Sequence, residues 1–262
     1  SSYSTKFHSP VDSVFLKQRA IDRAAWTLSD ARSVTSSSYI SILNDIYCRK
    51  TKMDAAFIPT GVDEELIPDR VGLKSEERKI VFVGEFTPEY SDDFFKIFAH
   101  MINSKKIKNA AIKIEIIGQI GLNTSRILPL AQSLQIEKYV EFIDHIPQKE
   151  VYKRIADSFA TLLIPGPKSY WPILFAKMID YIALAKPVIA LVPDPSEART
   201  RLQHVGLGVF IDGNLDEASS SLANFLDGAT TELSINLADQ SQYFAKQMTQ
   251  SFAKIFDRLI SS

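Results

Sequence analysis

The chain has 262 residues, 45% of them hydrophobic and 23% charged, with a formal net charge of -1. That balance suits a globular core and leaves no basic field to attract nucleic acid. A single cysteine, Cys48, excludes a disulfide within the chain and points to a reducing compartment. No apolar run approaches the ~20 residues needed to cross a bilayer. The opening SSYSTKFHSP has neither the basic and apolar regions of a signal peptide nor an initiating methionine. The expectation is a fragment with a cytoplasmic setting, at the inner face of the membrane if it associates peripherally with one.

Residues 11–28 predict an amphipathic helix whose apolar side is Val14, Phe15, Ala20, Ile21, Ala24 and Ala25. A short strand over 31–35, a helix over 38–47 and a second short strand over 55–59 follow. The turn 60–63 leads into a charged, aperiodic linker over 64–78. Two strands are too little sheet for an independent domain. Residues 1–66 therefore read as the closing part of a domain, and 67–262 as a second, more complete one.

From Lys79 onward the pattern is regular. Apolar runs at 80–83, 111–117, 139–142, 160–164, 188–192 and 208–211 alternate with helical segments at about 89–104, 123–135, 148–157, 172–185, 195–204 and 214–227. Such alternation predicts an α/β fold, a Rossmann-like parallel sheet with helices on both faces. A final helix over 233–261 carries Phe244, Met248, Phe252, Ile255, Phe256 and Leu259 on one side and is long enough to pack back on the first part.

Residues 172–192, PILFAKMIDYIALAKPVIALV, organise this second part. Ile173, Leu174, Met178, Ile179, Ile182 and Ala183 recur at helical spacing. Pro187 stops the helix, and Val188 to Val192 are apolar enough for a strand covered on both faces. Lys177 and Asp180, at i and i+3, are the only charges of this helix. They are either ligand-binding groups or a solvated ion pair of little energetic weight. The loop PGPKSYW at 165–171 lies where ligands of open α/β sheets gather, beyond the carboxyl ends of strands. Lys168 and Lys177 are the candidates to neutralise a diphosphate with the help of the helix dipole, and Asp180 is the candidate to accept bonds from a ribose diol. Tyr170 and Trp171 either stack on a ligand or anchor the loop.

Gly84 and Gly118 end the first two strands of this part, where glycine permits close backbone approach to a phosphate or simply turns the chain. Asp144, His145, Ile146 and Pro147 follow the third strand, either presenting backbone groups to a base or forming an ordinary polar loop. The sequence contains no GxSxG, no GxxxxGK[ST] and no HExxH, and its four histidines are widely spaced, so neither a metal nor a cofactor is expected. Cys48 reads as a small packing residue rather than a nucleophile.

The run KMIDYIALAKPVIA at 177–190 resembles the K-[LI]-x-[ED]-Y-[LI]-A-x-G-K-P-V-[IL]-A signature of retaining glycosyltransferases with the GT-B fold, the glycogen-synthase-like group. IPTGVD at 58–63, the strands at 79–84 and 114–118, the segment 140–146 and residues 30–37 are similar to other parts of that family in the same order. The resemblance implies a nucleotide-diphosphate-sugar donor and a glycan or lipid-linked acceptor. It places Asp180 at the donor ribose, Gly84 beside the phosphates, and His145 and Ile146 near the base. Gly118 stands at the family's second glycine-ended strand, and the acceptor-side domain would precede residue 1, leaving this fragment inactive alone.

Two departures stand out. Pro172 occupies the place of the glutamate that contacts the donor sugar in many members, and Glu85 and Phe86 stand where the family carries a diphosphate-gripping arginine. A sugar-nucleotide epimerase and a non-catalytic nucleotide- or glycan-binding module are the alternatives.

Overall fold

The computed structural model describes residues 13–48, 51–68, 77–108, 111–164, 166–167, 170–228 and 233–261. The first part comprises helix α1 (Ser13–Leu28), strand β1 (Ser33–Val34), helix α2 (Ser38–Tyr47) and strand β2 (Ala56–Phe57), with β1 and β2 paired in parallel. Trp26, Val34 and Tyr47 form its small core, and Cys48 packs at the margin as a filler. The indole of Trp26 donates to the Asn44 carboxamide at 3.1 Å, and Asn44 is held in turn by the Met53 backbone.

The second part is a six-stranded, all-parallel sheet in the order β5-β4-β3-β6-β7-β8. Its strands are β3 (Arg78–Val83), β4 (Ile112–Ile117), β5 (Val140–Ile143), β6 (Ala160–Leu163), β7 (Val188–Ala190) and β8 (Gly208–Phe210). Helices α3 (Asp93–Asn103), α4 (Ile120–Ser133), α5 (Gln148–Asp157), α6 (Ala176–Ala183), α7 (Glu197–Val205) and α8 (Leu215–Leu226) connect or follow them. The chain leaves β3 toward β4 on one side and returns after β5 to β6 on the other. The strand order therefore reverses between β3 and β6, which opens a crevice at their carboxyl ends.

Period-two alternation explains the unbroken apolar runs. Ile80, Phe82, Ile114, Ile116, Leu162 and Ile189 face one buried layer, while Val81, Ile117, Leu163, Val188 and Ala190 face the other. Glu115 is the exception in mid-sheet. Its carboxylate, 2% exposed, is held by Lys79 at 2.7 Å and Arg154 at 3.2 Å, which offset the cost of burying the charge.

Three expectations are corrected. The last helix is two, α9 (Leu237–Ser241) and α10 (Ala245–Ser261). It breaks because the chain there bonds to Val62 instead of to itself. The Val62 amide donates to Tyr243 O at 2.8 Å, and the Ala245 amide donates to Val62 O at 2.8 Å. Helix α6 begins at Ala176 rather than Pro172. The carbonyls of Trp171 and Pro172, which a longer helix would use internally, accept from the Glu197 amide and the Ser36 hydroxyl. Of the linker 64–78, residues 64–66 form a 3-10 turn and 69–76 lie outside the described residues. No helix among the described residues is long and apolar enough to cross a membrane.

Helix α6 ends in a paired carboxyl-terminal motif. The Lys186 amide donates to Tyr181 O at 3.0 Å and the Ala185 amide to Ile182 O at 2.9 Å. Ala185 sits there at φ 54, a left-handed conformation that its Cβ resists. Ala185→Gly is expected to raise the unfolding free energy by about 1 kcal/mol, measurable by denaturant titration.

Candidate functional site

The crevice between β3 and β6 is assembled from residues far apart in the chain. Gly84 leaves β3 at φ 120 and Gly118 leaves β4 at φ 155. A Cβ at Gly118 would lie 2.5 Å from Gly84 O, so glycine at 118 is what lets the two strand ends lie together. Asn123, on α4 and fully buried, fastens the loop after β3. Its side-chain nitrogen donates to Gly84 O at 3.0 Å, and its oxygen accepts from the Phe86 amide at 2.8 Å. From the opposite side the Tyr181 hydroxyl of α6 accepts from the Val83 amide at 3.1 Å. The loop after β3 is thereby held on two sides.

Lys177 and Asp180, both on α6, form no ion pair with each other, so the solvated-pair reading is set aside. The Lys177 ammonium lies 3.9 Å from the centre of the Phe82 ring and 5.3 Å from that of Tyr90. It would be 3.0 Å from a Cβ placed on Gly84. No carboxylate among the described residues pairs with it. Burial without a counter-ion pushes its pKa down to about 8. Asp180 points elsewhere, accepting from the Tyr152 hydroxyl at 2.8 Å, and Tyr152 accepts from Gln148 at 2.8 Å. Burial raises the Asp180 carboxyl above the usual carboxylate range, and the Tyr152 bond opposes that rise. A cation and an anion thus sit one helical turn apart in one crevice with different partners, an arrangement suited to holding a diphosphate and a hydroxylated group on the same molecule.

The other expected site residues spread along this edge. His145 is exposed, and its backbone amide is taken by the Asp144 carboxylate at 2.8 Å, which also reaches the Ile120 amide at 3.4 Å. The His145 N–H is therefore not free for a base. Ile146 is half-buried against the layer that holds Tyr152 and Ile179. Lys168 lies outside the described residues. Tyr170 packs on Gly166 and bonds Glu89 at 3.1 Å, so it anchors the loop. Phe86, where the family's arginine would stand, is 3% exposed and lies 4.1 Å from Phe82, ring centre to ring centre. The loop after β3 is hence bound by an aromatic cluster and offers no cation from that position. Among the described residues no group of three or more His, Cys, Asp or Glu is placed to hold a metal ion.

Asn123, Tyr152 and Tyr181 are site residues that sequence reasoning does not single out. Tyr181 follows Asp180 in the signature run, where it was visible but without a role. Asn123 and Tyr152 lie in ordinary helical segments and carry no local signal.

The chain has the fold of the GT-B glycosyltransferases, with a Rossmann-like parallel sheet. Sucrose-phosphate synthase from Thermosynechococcus elongatus superposes with a TM-score of 0.67 at 14% identity, over 94% of this chain and 62% of that one. A variant of S. aureus TarM, solved in a complex that includes UDP, gives a TM-score of 0.64 at 12% identity, over 95% of this chain and 48% of that one. Anabaena HepE, solved with UDP and glucose, gives 0.63 at 12%, over 92% and 67%. The chain thus spans about half to two thirds of the length of these structures. No protein-family model and no curated protein matches the sequence.

Gly118→Ala is expected to cost roughly 1–3 kcal/mol of stability, because the new methyl meets the Gly84 carbonyl in a conformation that already disfavours a side chain; chemical denaturation measures this. Tyr152→Phe is expected to shift the Asp180 carboxyl still higher, since it removes the bond that opposes desolvation, and a carbon-detected NMR titration of that carboxyl reads the change.

Proposed function

We propose that this chain is the donor-binding half of a retaining glycosyltransferase, which moves a sugar from a nucleotide-diphosphate-sugar to a hydroxyl of a glycan or lipid-linked acceptor. The observation that carries the reading is Lys177, a half-buried ammonium with no carboxylate partner among the described residues, held beside Gly84 with Asp180 one turn further on. A desolvated charge kept without a partner lowers stability and is characteristic of a ligand site. The superposition on HepE, whose structure holds UDP and glucose, supports the choice of ligand class.

In the transfer, the bond between the anomeric carbon and the leaving phosphate oxygen breaks with its electron pair going to the diphosphate. Lys177 neutralises the charge that gathers there, and Lys168, nearby in sequence, is the second candidate for that task. Gly84 and Gly118 allow the phosphates to approach the backbone at the strand ends, and Asp180 accepts from the ribose hydroxyls. His145 and Ile146 border the base, with Ile146 supplying an apolar surface. The positive charge developing at the anomeric carbon as the bond lengthens is stabilised by the departing diphosphate, while the acceptor oxygen bonds that carbon and its proton passes to the diphosphate oxygen.

A nucleotide-binding module without transfer is the second reading. The burial of Phe86 in place of a phosphate-gripping arginine, and Pro172 in place of a sugar-contacting acid, favour it. Calorimetry with UDP, GDP and their sugar conjugates separates the two: a gain in affinity from the attached sugar supports the transferase, and its absence supports the module. Lys177→Met and Asp180→Asn are each expected to weaken nucleotide binding by about tenfold, and unchanged affinity in both would remove the site assignment.

The pH dependence has a definite sign. Below about pH 8 Lys177 is charged and the diphosphate binds; as pH rises through that value the ammonium is lost and affinity declines. The unfolded chain keeps its lysine protonated to higher pH, so the depressed folded value makes the wild type gain stability across that window as pH rises. Lys177→Met removes the penalty of the buried charge and is expected to raise Tm near neutral pH by roughly 2–6 °C, even as it weakens binding. Differential scanning calorimetry at pH 7 and pH 9 checks both signs.

A further inference from the structure

One buried residue, Glu197, takes part in several of the contacts between the two parts of the chain. Glu197 opens α7, is 2% exposed, and is used at both its ends. Its amide donates to Trp171 O at 2.9 Å, in the segment that enters α6. Its carboxylate accepts from the Ser37 and Ser38 amides at 3.1 and 3.0 Å and from the Ser38 hydroxyl at 2.5 Å. Ser37 is the residue just before α2, and its own side chain makes no capping bond to that helix. The carboxylate of Glu197 supplies the missing cap from the other part of the molecule, at the end of the helix where a negative charge is favoured.

Arg201, one turn along α7, fixes that carboxylate. Its Nε donates to Glu197 at 2.8 Å, its guanidinium also bonds the Ser37 hydroxyl, and its plane lies 4.1 Å from the centre of the Phe57 ring in β2. Burial acts to raise the Glu197 carboxyl, but the hydrogen bonds from Ser38 and Arg201 outweigh it, so the group stays ionised. Seating α2 in this way places Ser36, 1% exposed, so that its hydroxyl bonds the Pro172 carbonyl. Two successive carbonyls before α6, those of Trp171 and Pro172, are therefore tied to Glu197 and to the helix start that Glu197 caps. Helix α6 has no side-chain cap of its own at Phe175, so its first turn, which carries Lys177, gains from the ties on the two carbonyls before it.

We infer that Glu197 is a positioning residue, which docks the start of α2 onto the donor-side sheet and by doing so sets the segment 171–175 and the Lys177–Asp180 face of α6. Seating the first part of the chain and ordering the donor site are then one event. The effect on ligand affinity rests on the donor-site reading above; the effect on the backbone does not.

Hydrogen exchange and calorimetry on the chain with Glu197→Ala, Glu197→Gln and Ser36→Ala test this, well below the melting temperature. In Glu197→Ala the amides of 38–47 and those of 173–180 are expected to exchange faster together, and UDP affinity to fall about five- to tenfold. Glu197→Gln, which keeps an acceptor oxygen for the serine amides, is expected to recover most of both. Ser36→Ala is expected to quicken 173–180 while leaving 38–47 unchanged, and it carries the test if Glu197→Ala does not fold. Faster exchange confined to 38–47, with 173–180 and UDP affinity at wild-type values, overturns the inference and leaves Glu197 as a helix cap alone. If the wild type binds no nucleotide, the donor reading fails, and the paired exchange of the two segments alone decides the role of Glu197.

Discussion

Where β3 ends relative to α6 is fixed by a 3.1 Å hydrogen bond from the half-buried Val83 amide to the hydroxyl of the fully buried Tyr181. In dry surroundings an unmet amide there would cost about 1–3 kcal/mol, so the two elements are held in one relative position. Because Lys177 lies one turn before Tyr181 on the same helix, this bond also sets where the ammonium stands over Phe82 and Gly84. Asn123 performs the matching task from α4, gripping Gly84 O and the Phe86 amide. The crevice is thus a rigid product of the sheet and three helices, with the glycines at 84 and 118 marking where backbone comes closest.

Within that frame the electrostatics are arranged against stability. Elsewhere the molecule satisfies its buried charges generously: Glu115 has two cations, and Glu197 has five donors in Ser37, Ser38 and Arg201. Among the described residues Lys177 has the faces of two aromatic rings and no carboxylate. The contrast is informative because the same fold shows that it can provide partners where a charge is structural. The aromatic cluster that receives the ammonium also contains Phe86, so the loop after β3 exchanges a cation at its own tip for packing, and the positive charge comes from α6 instead.

The first part of the chain contributes through its joints. Val62 is threaded between Tyr243 and Ala245, which breaks the last helix in two. Ser36 to Ser38 meet Pro172 and Glu197 across the cleft. These contacts join the two-stranded and the six-stranded sheet, and they reach the crevice between β3 and β6 through the short irregular segment before α6.

From the sequence alone, the parallel sheet and its six strands were legible. Strands buried on both faces must be unbroken apolar runs, and helices between them must show their own period, so both are written locally; α2 and α5 lie over 38–47 and 148–157 as read. The start of α6, the break after Ser241 and the roles of Asn123 and Tyr152 were not legible. Each depends on a partner distant in the chain: the Ser36 hydroxyl that occupies the Pro172 carbonyl is 136 residues away. Nor do residue types reveal that Lys177 has no carboxylate partner among the described residues while Glu197 is fully bonded. Periodicity is a property of neighbours along the chain, whereas desolvation and hydrogen-bond satisfaction belong to neighbours in space, and only the folded chain determines those.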